Sequence, residues 1–148
     1  MSDGARPRLN LAVQYAVSAT GKPSRAQFRK WAQATLEHDA RITIRVTGQA
    51  DGLALNRNFR AKNYATNVLT FIFRDKAPFE GDLALCAPVV AREARAQIKS
   101  LASHYAHLTV HGVLHLQGYD HENARDAAEM ERLETRIMAK LGYADPYQ

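Results

Sequence analysis

Three histidines, His111, His115 and His121, have the residue type and the spacing that could hold a metal ion. They close a stretch, 100–119, without Asp, Glu, Lys or Arg, and a helix that is apolar nearly all round belongs in a core. On a helix His111 and His115 would share one face, with Cβ atoms about 5–6 Å apart. Gly118 suits the left-handed conformation that ends helices, so the chain can turn there and bring His121 back. The pattern predicts three imidazole ligands, each about 2.0–2.1 Å from one zinc ion.

The spacing matches the metzincin signature, His-Glu-x-x-His-x-x-Gly-x-x-His, at every ligand and at the glycine. It departs at Gly112, which stands where those peptidases carry the glutamate that serves as general base. The sequence therefore predicts a similar metal cage with different chemistry. A zinc metallopeptidase remains the first alternative.

Two further histidines, His104 and His107, complicate the choice of ligands, because His107 is also four residues from His111. Only the pair His111 and His115 is followed by the glycine and a third histidine, so these carry the metal prediction. His104 and His107 are predicted either to pack in the core or to contact the ligand histidines without binding the metal themselves. For any single buried histidine, a hydrogen-bonded core residue is the commoner role.

The composition indicates an ordinary globular protein. With 148 residues, 46% of them hydrophobic and 24% charged, the chain is predicted to be one domain, 1–148, with a substantial core. Cys86 is the one cysteine, which excludes an internal disulfide and fits a reducing cytoplasm. The first ten residues lack a signal-peptide core, and the histidine-bearing run is too polar to span a bilayer. A membrane partner is not expected.

The net charge of +5 is unevenly distributed along the chain. Residues 1–76 carry 13 Lys/Arg against 5 Asp/Glu, a net charge of +8, whereas residues 77–148 carry 7 against 10, a net charge of −3. A basic half favours a polyanionic partner, because phosphate neutralisation dominates nucleic-acid affinity. The alternative is that these side chains only solvate the surface.

The first half of the chain alternates strand and helix patterns. The stretches 9–15 and 42–46 alternate apolar and polar residues, which predicts two strands. Between them Ser24 and Gln27 form a capping box that begins a helix. Strand–helix–strand predicts a parallel pair with a right-handed crossover.

The middle of the chain predicts shorter elements. Residues 53–59 suggest a short helix, and the uncharged run 68–73 predicts a central buried strand. A loop is expected over 74–81, and a short strand over 82–86.

Three helices complete the prediction, over 88–97, 101–117 and 123–141, with mixed charges on a solvated face of the last. The expected fold is a mixed α/β (α+β) domain. It has about four strands and about five helices, with the zincin-like histidine helix at its centre.

The stretch from His111 to His121 resembles, without a gap, the core motif His-Gly-x-Leu-His-Leu-x-Gly-Tyr-Asp-His of the YbeY-type bacterial endoribonucleases, which are ribosomal RNA maturation factors. Other segments are similar to that family too: Leu55-Asn56, Arg60, Thr66 to Phe71, Gly81-Asp82 and Met130 with Glu134. Asn67 and Thr70 stand where the family often has aspartate and serine, so any carboxylate role at 67 is replaced by hydrogen bonding.

The resemblance implies a single-strand-specific, metal-dependent endoribonuclease that acts in 16S ribosomal RNA 3′-end maturation and ribosome quality control. It implies that His111, His115 and His121 bind one zinc ion, and that Arg60 acts with His111 and His115 in catalysis. Arg60 and its neighbours Arg57 and Lys62 would bind phosphate.

The implied partners are precursor ribosomal RNA, the small ribosomal subunit and assembly proteins, with no DNA expected. A second alternative is a non-catalytic assembly factor with structural zinc, although three protein ligands leave the open position typical of catalytic sites. Asp120 has two possible roles, either orienting a ligand histidine or accepting hydrogen bonds from backbone amides at the turn.

Overall fold

The computed structural model describes residues 6–50, 53–54 and 66–148 of the chain. Its four strands are β1 (Leu9–Tyr15), β2 (Ala40–Thr47), β3 (Val68–Arg74) and β4 (Phe79–Cys86). They form one sheet in the order β1-β2-β4-β3. Strands β1, β2 and β4 are parallel, and β3 runs antiparallel to β4. The predicted mixed sheet and the parallel pairing of the first two strands are confirmed.

The described residues form four long helices: α1 (Arg25–Thr35), α2 (Ala87–Ala96), α3 (Leu101–Leu116) and α4 (Ala124–Lys140). The first three contact the sheet, and α4 packs on α3. Residues 49–50 and 53–54 are also helical. The fifth helix predicted over 53–59 lies for the most part outside the described residues. None of the helices described is both long and apolar enough to cross a membrane.

Helix α1 begins at the predicted capping box of Ser24 and Gln27. The side chain of each residue accepts a hydrogen bond from the backbone amide of the other. The Ser24 hydroxyl accepts from the Gln27 amide at 3.1 Å, and the Gln27 side chain accepts from the Ser24 amide at 2.9 Å. The helix buries Phe28 and Trp31, whose rings meet edge to face with centroids 5.7 Å apart. Phe28 also meets Tyr105 of α3 at 6.2 Å. The crossover helix thereby packs against the histidine helix.

Helix α3 lies at the centre of the molecule, as predicted. It contacts α1, α2, α4, β3 and β4, and ten of its sixteen residues are buried. Its N-cap, Ser100, accepts a hydrogen bond from the Ser103 amide at 3.1 Å. An apolar helix held on all sides is a rigid support for the histidines that it carries.

The prediction of a central buried strand over 68–73 is wrong, since β3 lies at the edge of the sheet and β2 and β4 are central. Ile72 and Phe73 are 47% and 69% exposed. The run lacks charge for another reason. Val68, Thr70 and Ile72 line the pocket that contains the histidines, so one face of the strand forms a wall of that pocket.

The predicted loop over 74–81 and the short strand over 82–86 are both present, but their bounds are wrong. Strand β3 continues to Arg74, and β4 already begins at Phe79 and has eight residues. Gly81 lies inside β4, where a Cβ atom would collide with the carbonyl oxygen of Phe71 and lie 2.5 Å from Leu116 Cδ1 of α3. Here the glycine marks a close backbone approach within the sheet rather than a loop.

Gly112 makes the matching approach from the helix side. A Cβ at this position would lie 2.5 Å from Leu83 Cδ2 and 2.8 Å from Leu83 Cγ on β4. The two glycines together allow α3 to lie close against the sheet.

We expect Gly112→Ala to destabilise the fold by about 1–3 kcal/mol, because the added methyl overpacks the contact with Leu83. Chemical denaturation measures the loss. Leu83→Ala alone should cost about 2–5 kcal/mol. The double variant should lose less than the sum of the two, since the shortened side chain makes room for the methyl. Additive losses would contradict this account of the glycine.

Candidate metal centre

Helix α3 and the turn after it bring the three predicted ligand histidines together. Gly118 has φ +101°, and the chain reverses there because the Gly118 amide donates to the His115 carbonyl at 3.0 Å. The ring centroids of His111 and His115 are 4.9 Å apart, and those of His115 and His121 are 4.8 Å apart. The geometry expected from the spacing is therefore present.

The Gln117 side chain anchors the same turn to the end of α1. Its oxygen accepts from the amides of Glu37 and His38 at 2.7 and 3.2 Å, and its nitrogen donates to the Thr35 carbonyl at 3.0 Å. The Tyr119 hydroxyl donates to the Glu37 carboxylate at 2.9 Å. These contacts fix the segment that carries the third histidine, and the sequence motif alone did not reveal them.

The donor set fits a metal ion. One ring nitrogen from each of His111, His115 and His121 lies within 4.8 Å of the others, a little wider than the separation of about 4 Å that two ligands of one ion can have. Burial, together with the neighbouring imidazoles of His111 and His121, lowers the pKa of His115. A lowered pKa favours the neutral imidazole, which is the form that binds metals.

A buried carboxylate lies directly behind the first histidine. Glu134 of α4 has no exposed surface, and its Oε1 lies 3.0 Å from His111 Nδ1 and 3.1 Å from His107 Nε2. The Tyr147 hydroxyl donates to the same carboxylate at 2.7 Å. Because Glu134 occupies Nδ1 of His111, it fixes the tautomer that leaves Nε2 for a metal.

The charge on Glu134 is maintained by these partners. Burial alone raises the pKa of a carboxyl, but the hydrogen bonds from His107, His111 and Tyr147 lower the pKa of Glu134 to about 2. The predicted solvated charged face of the last helix is therefore wrong at this residue. A signal was present, since Glu134 falls four residues after Met130 and three before Ile137, on the apolar stripe.

A second polar group, built around Glu93 of α2, supports the wall of the pocket. The Glu93 carboxylate lies 2.8 Å from His104 Nε2 and accepts a hydrogen bond from the side-chain nitrogen of Asn67, Nδ2, at 3.0 Å. The Asn67 oxygen accepts from the Val68 amide at 2.6 Å, at the start of β3. An aspartate at 67 could not donate to Glu93, so in this chain the amide has the structural role expected from its hydrogen-bonding capacity. Burial lowers the pKa of His104, against the opposing effect of Glu93.

The remaining site predictions divide into two groups. Asp120 accepts from the His121 amide at 2.7 Å, which is the second of its two expected roles, while Glu134 holds a ligand histidine. The predicted phosphate-binding residues Arg57, Arg60 and Lys62 lie outside the described residues and stay predictions.

The three histidines open into a pocket of about 410 Å³. Its described lining comes from β3 and from the histidine motif: Asn67, Val68, Thr70, Ile72, His111, His115, Asp120, His121 and Glu122. A Cβ at Gly112 would lie 2.5 Å from Leu83 Cδ2 on β4 and 3.5 Å from Thr70 Oγ1 on β3. The position of the metzincin base therefore faces the sheet, where a carboxylate would have no room.

Fold and site define a class: a mixed α/β protein with a cluster of three histidines that could hold a metal ion, at the end of a buried helix. The profile of the family Endoribonuclease YbeY matches residues 15–142. The chain belongs to the Endoribonuclease YbeY family. The family resemblance that the histidine motif suggested is confirmed.

Similar proteins cover nearly the whole chain. The Endoribonuclease YbeY of Nitrosomonas eutropha is 56% identical over 93% of this chain and 97% of its own length. Those of Nitrosospira multiformis and Aromatoleum aromaticum are 54% and 53% identical, covering 97% and 99% of this chain and 85% and 97% of their own. A solution structure from Thermotoga maritima has a TM-score of 0.55 at 20% identity, covers 93% of this chain and 99% of its own, and supports the fold.

We expect Glu134→Ala to weaken metal binding by about 10–100-fold, because His111 loses the group that orients it. Competition with a chelator of known affinity measures the change. Glu131→Ala, an exposed change on the same helix, is the matched control and should bind metal normally. Glu134→Gln keeps the volume and should also weaken binding, so a folded Gln variant with unchanged metal affinity would refute the role.

Proposed function

We propose that the chain is a single-strand-specific, metal-dependent endoribonuclease that acts in ribosomal RNA maturation, including the 3′ end of 16S ribosomal RNA, and in ribosome quality control. The observation that carries the proposal is the convergence of His111, His115 and His121 in a pocket, in a member of the Endoribonuclease YbeY family. The whole of 1–148 would act as one domain. The small ribosomal subunit and its assembly proteins as partners, and a cytoplasmic location, belong to the same proposal.

We propose zinc as the ion, one per chain, held by His111, His115 and His121. Three imidazoles and an open position are the donor set of catalytic zinc sites. When bound, such an ion acts as a Lewis acid that lowers the pKa of water and polarises a phosphoryl oxygen.

The protein's own groups would supply orientation and charge. Glu134 would hold His111 in one tautomer, and the turn fixed by Gln117 would present His121. Arg60 would bind the phosphate and stabilise the negative charge that grows in the transition state, because a guanidinium is permanently charged and forms paired hydrogen bonds. Arg57 and Lys62 would bind the neighbouring backbone phosphates.

The peptidase alternative is disfavoured by the environment of Gly112. A general base must lie within hydrogen-bond reach of the proton that it removes. Position 112 faces Leu83, and the nearby Asp120 already accepts from a backbone amide. The non-catalytic alternative is disfavoured because the histidines line an accessible pocket rather than a closed site.

We expect each of His111→Ala, His115→Ala and His121→Ala to abolish stoichiometric zinc binding. His104→Ala and His107→Ala should retain the ion, because their rings contact Glu93 and Glu134 instead. Elemental analysis of the purified variants measures the content. Full zinc in His121→Ala would refute the ligand set.

We expect the zinc-loaded protein to cleave single-stranded RNA and to leave casein intact, because Gly112 stands where the metzincins carry their base and the chain carries a basic half. Gel analysis of both substrates with one preparation decides this. Cleavage should fall steeply as salt rises, since phosphate contacts are screened.

Two variants make the RNA experiment specific. His115→Ala controls for contaminating nuclease and should be inactive. Arg60→Glu should keep its zinc and its fold but lose RNA cleavage, because it places a carboxylate where the phosphate would bind. Casein digestion with intact RNA would reverse the proposal.

A further inference from the structure

A second basic surface lies away from the histidine pocket. Residues 6–36 contain no Asp or Glu but six basic side chains, which we call the basic ridge: Arg6, Arg8, Lys22, Arg25, Arg29 and Lys30. All but Lys22 come from the segment leading into β1 or from α1. Most of their side chains are exposed.

Arg29 connects five of the six members of the basic ridge, all but Lys22, because it lines three adjoining grooves. It shares one groove with Arg6 and Lys30, one with Arg8 and Arg41, and one with Arg25 along β1. Adjacent grooves that share the Arg29 guanidinium form a continuous surface. Such a surface suits an extended polyanion better than a single small ion.

The basic ridge has no carboxylate partners in the part of the chain that the structure describes. There the one Lys or Arg in an ion pair is Arg41, whose guanidinium lies 3.7 Å from Glu80. Asp39 lines the same groove, but its carboxylate accepts from the backbone amide of Arg8 at 2.7 Å. On α4, by contrast, basic residues alternate with acidic ones. The ridge therefore carries an excess of positive charge, which the carboxylates of Asp39 and Glu80 reduce only in the groove that contains Arg8.

Three interactions give part of the ridge a fixed position. Arg25 donates to the Val13 carbonyl of β1 at 3.3 Å, and its guanidinium lies 4.9 Å from the centre of the Tyr15 ring. The Gln33 side chain donates to the Pro7 carbonyl at 2.9 Å. Helix α1 is thus tied to the edge strand by its own polar side chains.

The ridge and the pocket are at opposite edges of the sheet. Strand β1 is one edge and β3, the wall of the pocket, is the other, three strand spacings or about 14–15 Å away. An RNA chain that occupies only the pocket would not reach β1, whereas a longer one could contact both.

We propose that the basic ridge binds the sugar-phosphate backbone of RNA outside the cleavage site, an inference that rests on the proposed ribonuclease function. RNA fits better than an acidic protein, because protein interfaces need an apolar core. The large apolar side chains exposed in the described residues, Ile72, Phe73, Ile98 and Tyr147, all lie outside the ridge. Four of the six ridge residues are arginines, whose planar fork suits phosphate.

The test compares two triple charge reversals in the zinc-loaded full chain. The ridge variant reverses three exposed side chains: Arg8→Glu, Arg29→Glu and Lys30→Glu. The control makes the same change in net charge on exposed positions of α4: Arg125→Glu, Arg132→Glu and Arg136→Glu. Circular dichroism and thermal unfolding verify that both variants fold. Binding is measured with hydrolysis-resistant 2′-O-methyl phosphorothioate oligouridines, one short and one long, at several salt concentrations.

The ridge variant should bind the long oligonucleotide about tenfold more weakly than the control does, and its slope of log affinity against log salt should fall by about 0.7 per lost contact. The short oligonucleotide should bind both variants alike. Equal losses in the two variants, or an unchanged affinity of the ridge variant, would overturn the proposal. Polyglutamate serves as a second probe, as a model of an acidic protein. If the ridge variant kept its RNA binding but lost polyglutamate binding, the ridge would be a protein-docking surface, and the proposal would also be overturned. Because binding is measured without cleavage, an inactive wild-type protein would refute the proposed function separately.

Discussion

The carboxylate of Glu134 has no contact with water, and a buried charge is stable only when partners replace the lost hydration. His107, His111 and Tyr147 provide that replacement. Each partner is in turn restricted by the carboxylate, so the orientation of the first ligand histidine and the docking of α4 on α3 depend on one group. The cost of burying the charge is offset by the same contacts that organise the site.

The rest of the architecture brings α3 close enough for this contact to form. Gly81 and Gly112 remove the side chains that would separate α3 from β4, and Leu83 fills the space between them. Helix α1 packs against α3 through Phe28 and Tyr105. The histidine helix is therefore fixed by packing along its length, and this reduces the freedom of the imidazoles at its end.

The features that the sequence predicted correctly are mostly local. The capping box, the helix limits of α2 to α4 and the turn at Gly118 depend on residues within a few positions of one another. The place of β3 in the sheet depends on its pairing with β4, and an uncharged run does not distinguish a central strand from the wall of a pocket. The sequence analysis assigned Glu134 no role because its partners are 23 and 27 residues away, although a charge on an apolar stripe is a usable signal.

The tie between Gln117 and Glu37 spans 80 residues of sequence, and it has a consequence for the order of folding. The helix that carries His111 and His115 and the turn at Gly118 can form from local interactions, whereas the contacts of Gln117 and Tyr119 with Glu37 need α1 to have docked. A partly folded chain would therefore present two ligands on the helix and leave the segment of the third without these contacts. An ion that binds only the native state shifts the folding equilibrium towards that state. Metal binding would therefore stabilise the fold after it is complete and would not initiate folding.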